Sequence, residues 1–279
     1  MLGRTLSRVL ATHDIIVADL PEWDICDSTC FCDKLSSAAP DVVIHCAAMT
    51  SVDKCEAERQ LAFKVNAEGS RNVAMACSRV GVRLVAMSTD YVFRGDSSRP
   101  YSEYDEAGGA RTVYGASKFA GEEEIRRNCP DHVICRLAWL YGSGGPSFVH
   151  TMMKLADGSR PILKVVDDQR GNPTSALAVS RHVALLLSRP ELRGTFHLTC
   201  EGEASWAEFA AEIFRLAGVS QAIQPCSTAE FPRPAPRPAR SSLEKRRLSE
   251  CGLPPMPDWR QALGEFMALE FPGPSGAPG

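Results

Sequence analysis

Val82-Arg83-Leu84-Val85-Ala86-Met87-Ser88-Thr89-Asp90-Tyr91-Val92-Phe93 begins as an apolar run and then stops abruptly in Ser-Thr-Asp. A strand that is apolar on both faces belongs to a parallel sheet covered by helices on either side. In an open sheet of that kind, polar groups just past the carboxyl end of a strand face the ligand crevice. Thr89 is therefore placed to hydrogen-bond a substrate oxygen, although a serine and a threonine can also simply cap a turn.

Outward from this stretch the same texture repeats. Further strands are predicted over Asp14–Ala18, Val42–Ala47 and His132–Ala138, with Val82–Ser88 the strand above. Between them, residues 54–80 carry apolar positions Leu61, Val65, Val73 and Ala76 at helical spacing, and residues 112–128 form a second helical stretch. Strand, crossover helix and strand in alternation give an α/β fold, a doubly wound parallel sheet of Rossmann type. After Gly145 shorter elements are expected: helices at 148–156 and 176–187, strands at 161–167 and 194–199. We read residues 1–147 as a dinucleotide-binding domain and 148–279 as a smaller substrate-binding lobe, with parts of 176–200 returning to the first domain. Phe231-Pro232-Arg233-Pro234-Ala235-Pro236-Arg237-Pro238 is too rich in proline for a helix and should be an extended connection. Residues 273–279 read as a frayed tail.

Composition narrows the function. With 44% hydrophobic and 23% charged residues the chain is globular rather than disordered, and a net charge of −3 without basic runs offers no groove for nucleic acid. Apolar stretches run only a few residues, against the ~20 of a membrane-crossing helix. The arginines and serine of the first eight residues are weak support for a targeting peptide, since no continuous apolar core accompanies them. Eleven cysteines, mostly in apolar surroundings, suit a reducing cytoplasm. Cys26, Cys30 and Cys32 lack the second ligand pair of a tetrahedral zinc site, so no metal site is assigned.

The chemistry centres on Thr112-Val113-Tyr114-Gly115-Ala116-Ser117-Lys118. A tyrosine and a lysine four apart on a helix project from one face. A phenol is a poor acid or base at neutral pH, and a nearby ammonium brings it toward working range. Taken alone YxxxK is common by chance; beside Thr89 it becomes a proton-transfer set of Tyr114, Lys118 and Thr89. The strand Val43-Ile44-His45-Cys46 ends in Ala47-Ala48, side chains small enough to let a planar cofactor pass close to the backbone, which we favour over ordinary tight packing. Asp19, closing Ile15-Ile16-Val17-Ala18, is either a ribose-binding acid that leans toward NADH or a plain turn residue; NADPH is not excluded.

These residues resemble the extended short-chain dehydrogenase/reductase superfamily, and within it the dTDP-4-dehydrorhamnose reductases. The resemblance runs over nearly the whole chain. It is carried by residues 47–56 (AAMTSVDKCE), 62–69 (AFKVNAEG), 88–93 (STDYVF), 113–115 (VYG), 136–142 (RLAWLYG), 166–174 (VDDQRGNPT), 205–210 (SWAEFA) and 237–243 (RPARSSL). YxxxK marks only the superfamily; the STDYVF and DQxGxPT strings are far more specific. The resemblance implies NAD(P)H-dependent reduction of the C4 ketone of a dTDP-sugar, with Tyr114 as general acid and Lys118 holding the nicotinamide ribose. It implies that Thr89 and Asp90 bind the sugar, that Trp139 lines the substrate site, that Ala47, Ala48, Met49 and Thr50 flank the cofactor, and that Asp24 and Ile25 lie near the adenine. From charge alone, Arg237 or Arg240 could face the nucleotide diphosphate.

The family's opening strand and GxxGxxG turn are matched only at their end, by Met1-Leu2-Gly3-Arg4, so that Met1, Leu2 and Gly3 would open the phosphate-side helix and roughly ten residues of the pattern are missing. Either the start of the reading frame is mis-assigned or the chain is truncated, and a truncated chain should bind cofactor weakly. Some relatives are described with Mg2+; this sequence offers no evident carboxylates for it. The resemblance is compatible with a homodimer. Nucleotide-sugar dehydratases share the fold but place an acid directly after the aspartate, where this chain has Tyr91. An epimerase retaining its NAD, and a non-catalytic NAD(P)-binding subunit like the regulatory subunit of methionine adenosyltransferase, are the competing functions.

Overall fold

A computed structural model describes residues 1–272. Its centre is a four-stranded parallel sheet in the order β1 (Val42–His45), β2 (Arg83–Thr89), β3 (His132–Leu137), β5 (Gly194–His197). Every residue of β2 is buried, as a two-faced strand requires. Val85 and Met87 face one core with Val133 and Cys135, while Leu84 and Ala86 face the other with Ile134. Each such side chain contributes about 1.5–3 kcal/mol on burial. The second core is closed by α2 (Ser28–Ala38) and α3 (Ser70–Val80), through Phe31, Leu35, Val73 and Cys77. The first takes Leu2 and Leu6 of α1 (Leu2–Val9) and Val179 and Val183 of α6 (Ala176–Leu187).

The crossover from β2 to β3 is α4 (Val113–Asn128). Thr112 caps it, its hydroxyl accepting from the Gly115 N–H at 3.0 Å. In the lobe beyond, β4 (Ile162–Val166) pairs in parallel with β6 (Ala222–Cys226). Helices α5 (Phe148–Leu155), α7 (Trp206–Ala217) and α8 (Trp259–Glu270) pack on the first core. A capping box of Ser205 and Glu208 starts α7. Two short ladders lie beyond the sheet: Leu140–Tyr141, just after β3, pairs in parallel with Thr174–Ser175, and Arg170–Gly171 pairs antiparallel with Ala204–Ser205.

Two expectations fail. Residues 14–18 form no strand: Ile15, Ile16 and Val17 are 36%, 54% and 73% exposed. Their side chains suit a strand, but a strand also needs a neighbour for its N–H and C=O groups. The sheet's hydrogen-bonded order ends at β1, whose only neighbour is β2, and no strand among the described residues pairs with 14–18. Residues 54–80 are not one helix either. They divide into Val52–Ala57, Arg59–Phe63, a π-helical turn Lys64–Gly69, and then α3. The π turn lets Asn66 point inward to bonds that a regular helix would not reach. The frayed tail expected at 273–279 lies outside the described residues.

Candidate active site

Two local constraints bring Tyr114 to the end of β2. Residue 115 must be glycine, because a Cβ there would run into the carbonyl oxygen of Tyr91. The helix therefore starts directly against the Ser-Thr-Asp-Tyr turn, and the Tyr114 and Tyr91 rings meet edge to face, 5.5 Å between centroids. The N–H of Val113, one of the helix's unpartnered first-turn donors, is taken by Glu56 Oε1 at 2.8 Å. The Tyr114 hydroxyl lies near Thr89. Burial pushes its pKa above the ordinary phenol value; the Thr89 contact opposes this and the Asp90 carboxylate adds to it. The phenol is thus held protonated, the form a proton donor needs.

Thr89 Oγ1 donates to Asp90 Oδ1 at 2.9 Å. Asp90 is 2% exposed. Burial raises its carboxyl to about 6, with Ser241 and Thr89 pulling the other way. Its Oδ2 and the Ser241 hydroxyl are nonetheless both buried without a hydrogen bond of proper geometry.

Lys118 is tied to the backbone of β2. Its ammonium donates to the Met87 carbonyl at 2.8 Å, and the groups acting on it are Glu122 and Cys46 rather than Tyr114. Burial lowers its pKa to about 8, while Glu122 and Cys46 raise it. The charged and polar groups acting on the Tyr114 phenol are Thr89, Asp90 and Cys55. One of the three Lys118 N–H donors is engaged with Met87, which leaves others for a ligand hydroxyl.

Behind this set stands a buried ion pair. Glu122, one turn beyond Lys118, accepts from Arg136 Nε at 2.9 Å and Nη2 at 2.7 Å, from Arg126 at 2.7 Å and from the Ser88 hydroxyl at 2.6 Å. Burial alone would raise the Glu122 carboxyl, but the arginine and serine bonds hold it below its ordinary value. Ser88 precedes Thr89, so this pair fixes the end of β2 against α4 and β3.

The loop after β1 is positioned by Asn66. Its Oδ1 accepts from the Met49 N–H at 2.8 Å, and its Nδ2 donates to the Met49 carbonyl at 3.1 Å and to Ser117 Oγ at 3.0 Å. Met49 is half-buried, Ala47 and Thr50 are exposed and Ala48 is half-buried, so an open ledge follows the strand. Asn66, Glu56, Glu122 and Arg136 were not singled out from the sequence as site residues. Glu56, Asn66 and Arg136 fell inside the matching strings, and Glu122 sits at the helical spacing of four from Lys118.

The other assignments are more dispersed. Leu2 is buried in the first core, whereas Gly3 is exposed with open space where a side chain would be, at the first turn of α1. Met1 packs beside Gly142 and Gly145. Asp24 Oδ1 accepts from Cys26 N–H at 2.8 Å and Ile25 packs on Gly69, its carbonyl accepting from Asn72. Asp19 is exposed, and its Oδ1 accepts from the Leu20 N–H at 2.9 Å. Arg237 is paired with Asp53 at 2.8 Å and Arg240 with Glu203 at 2.8 Å. Trp139 lies face to face with Trp206 at the lobe boundary. Among the described residues no group of three or more His, Cys, Asp or Glu side chains could hold a metal ion, and no helix is long and apolar enough to cross a membrane.

Comparison with known proteins places this arrangement. The family model described as "RmlD substrate binding domain" matches residues 1–270. A dTDP-4-dehydrorhamnose reductase of Streptomyces griseus is 42% identical over 96% of this chain and 91% of its own length. The crystal structure of a dTDP-4-dehydrorhamnose reductase from Clostridium acetobutylicum superposes with a TM-score of 0.93 at 41% identity, over 96% of this chain and 95% of that one. That of the Bacillus anthracis enzyme, in complex with NADP, does so with a TM-score of 0.93 at 38% identity over the same shares. On matches of this extent, the chain belongs to the RmlD substrate-binding-domain family, within the extended short-chain dehydrogenase/reductases.

Proposed function

We propose that this chain is an NAD(P)H-dependent oxidoreductase that reduces the C4 ketone of dTDP-4-dehydro-L-rhamnose to dTDP-L-rhamnose, a precursor for cell-surface polysaccharide. The observation that carries the reading is the placement of a half-buried Tyr114 against the Ser-Thr-Asp-Tyr turn at the carboxyl end of β2, its ring edge to face with Tyr91 and Gly115 packed on the Tyr91 carbonyl. The relatives' names support the substrate.

The residues present fit a nicotinamide dinucleotide. Lys118 has N–H donors to spare for the ribose hydroxyls, Ala47 and Ala48 leave a ledge without bulk, and the open first turn of α1 at Gly3 suits a pyrophosphate. Bound there, the reduced dinucleotide supplies the hydride that the ketone carbon receives. This chain's own residues do the rest. Thr89 and Asp90 hold the sugar hydroxyls and the ketone oxygen beside the phenol, and Tyr114 gives its proton to that oxygen as charge develops there. Its high pKa keeps the proton on the donor until the oxygen becomes basic enough to take it. Trp139 closes the side of the sugar, and Arg237, if released from Asp53, can meet the diphosphate. Tyr91 after Asp90 leaves no second acid for dehydration. Eleven free cysteines support a reducing cytoplasm as the location.

The test is to mix purified chain with dTDP-4-dehydro-L-rhamnose and NADPH or NADH and follow nicotinamide absorbance and product by mass. Stoichiometric oxidation with formation of dTDP-L-rhamnose is expected. Interconversion of epimers without net oxidation would assign an epimerase, and tight cofactor binding without turnover would favour a regulatory subunit.

A further inference from the structure

The backbone of Trp139 has φ of 45°, in the left-handed region that bulky side chains rarely adopt. A strained residue at a site persists only where its surroundings over-determine it. Here the surroundings are specific. The Trp139 carbonyl accepts from the Thr174 N–H at 3.2 Å, and the next two residues run in a ladder with Thr174–Ser175. Gly171 lies so close that a Cβ would sit 2.5 Å from the Nε1 and Cε2 atoms of the indole. Trp206 then covers the ring with centroids 3.5 Å apart and planes within 3°. Aromatic pairs left to themselves prefer offset or edge-to-face geometry at larger separation. This sandwich is imposed by the frame around it.

The frame is a chain of side-chain hydrogen bonds. Trp206 Nε1 donates to Gln169 Oε1 at 3.0 Å, Gln169 Nε2 donates to Thr228 Oγ1 at 2.9 Å, and Thr228 Oγ1 donates to Asp168 Oδ1 at 2.5 Å. Gln169 is 8% exposed and spends both ends of its amide here. Trp139 and Trp206 remain half-buried, so the pair keeps an accessible side. The Asp-Gln-x-Gly-x-Pro-Thr string, whose role the catalytic set does not explain, thus supplies Asp168, Gln169, Gly171 and Thr174 to a single task.

We infer that Trp206, oriented by Gln169 and Thr228, is a positioning residue for the nucleotide sugar: it fixes the Trp139 indole as the wall against which the sugar seats. The inference rests on the proposed function. Trp206 acts through Trp139 and needs no contact with the ligand of its own, so its effect should appear in binding of the sugar, not in binding of the dinucleotide and not in the proton transfer.

A double-mutant cycle tests this, using Trp206→Ala, Trp139→Ala, the double variant, Trp206→Phe and Gln169→Leu in the full chain. Affinity for dTDP-L-rhamnose is measured by calorimetry, alongside KM and kcat for the keto sugar and KM for NADPH. Trp206→Ala is expected to weaken sugar binding about tenfold, or about 1.4 kcal/mol, with kcat and the NADPH KM within about twofold. Trp206→Phe should recover part of the loss, and Gln169→Leu should show a smaller one. In the Trp139→Ala background the Trp206 change should add nothing further. Additive losses, an unchanged sugar affinity, or a fall in kcat alone that tracks a lower melting temperature would each overturn the inference. If wild-type chain binds dTDP-L-rhamnose with this coupling but does not oxidise NADPH, the reductase reading fails and the positioning role stands. If it oxidises NADPH but shows no coupling, the reverse holds; if it does not bind the sugar nucleotide, both fall.

Discussion

Replacing Tyr114 by phenylalanine isolates the proton donor. The ring is held by its edge-to-face contact with Tyr91 and by its packing against a small cluster of Cys55, Ala62 and Val113, none of which involves the hydroxyl. What is lost is one oxygen and its reach to Thr89. A hydrogen bond of that kind contributes about 1 kcal/mol to stability, so the variant should fold with a melting temperature within a few degrees of the parent. General acid catalysis contributes about 10²- to 10⁴-fold, equivalent to about 3–5 kcal/mol of transition-state stabilisation. The expected result is a fall in kcat of that size, read from nicotinamide absorbance under saturating substrate, with the dissociation constant for NADPH changed less than about twofold. Because the phenol's pKa is raised by burial, the parent should show no alkaline loss of activity from Tyr114 near neutrality. A Tyr114→Phe protein that kept more than about a tenth of the parental rate would refute the assignment and require a different acid, Asp90 being the nearest candidate.

Three further outcomes follow from buried charge. Lys118→Met should weaken NADPH binding and cut turnover, yet leave the fold no less stable at pH 7, since burial depresses the ammonium from 10.5 to about 8 and so works against the charged form; in the parent, kcat/KM should fall as pH rises through about 8, and a melting temperature far below the parent's would contradict this. Asp90→Asn should stabilise the chain above pH 6 by at most ~3 kcal/mol, from a carboxyl raised from 3.8 to about 6 at 1.36 kcal/mol per unit. The sign is that of a raised folded-state value: the cost of burying the carboxylate is full above pH 6 and disappears as pH falls toward 4, so denaturant midpoints of parent and variant should converge there. Glu122→Gln leaves Arg136, whose side chain is 3% exposed, without its carboxylate, and should cost about 3–5 kcal/mol in denaturant unfolding; a loss under about 1 kcal/mol would mean water reaches the pair.

Much of this protein could be read along the chain. The strand expected at 82–88 and found at 83–89, and the helical stretch expected at 112–128 and found at 113–128, were legible, because apolar periodicity records which faces of an element are buried and a polar stop after a buried strand marks the sheet's exit edge. The tertiary structure alone settled matters that need a partner from elsewhere. Ile15-Ile16-Val17 has the side chains of a strand but lies unpaired, since strand formation depends on a neighbour's N–H and C=O groups and not only on its own residues. Within the π turn at 64–69, Asn66 bonds Met49 and Ser117, partners 17 and 51 residues away in the chain. Lys118 sits four residues from Tyr114 yet turns to the Met87 carbonyl, since buried ammonium goes where an acceptor is and helical spacing only sets the face from which it departs. The left-handed Trp139 and its stacked partner Trp206 are likewise invisible to any local pattern, because the contact joins residues far apart in the chain.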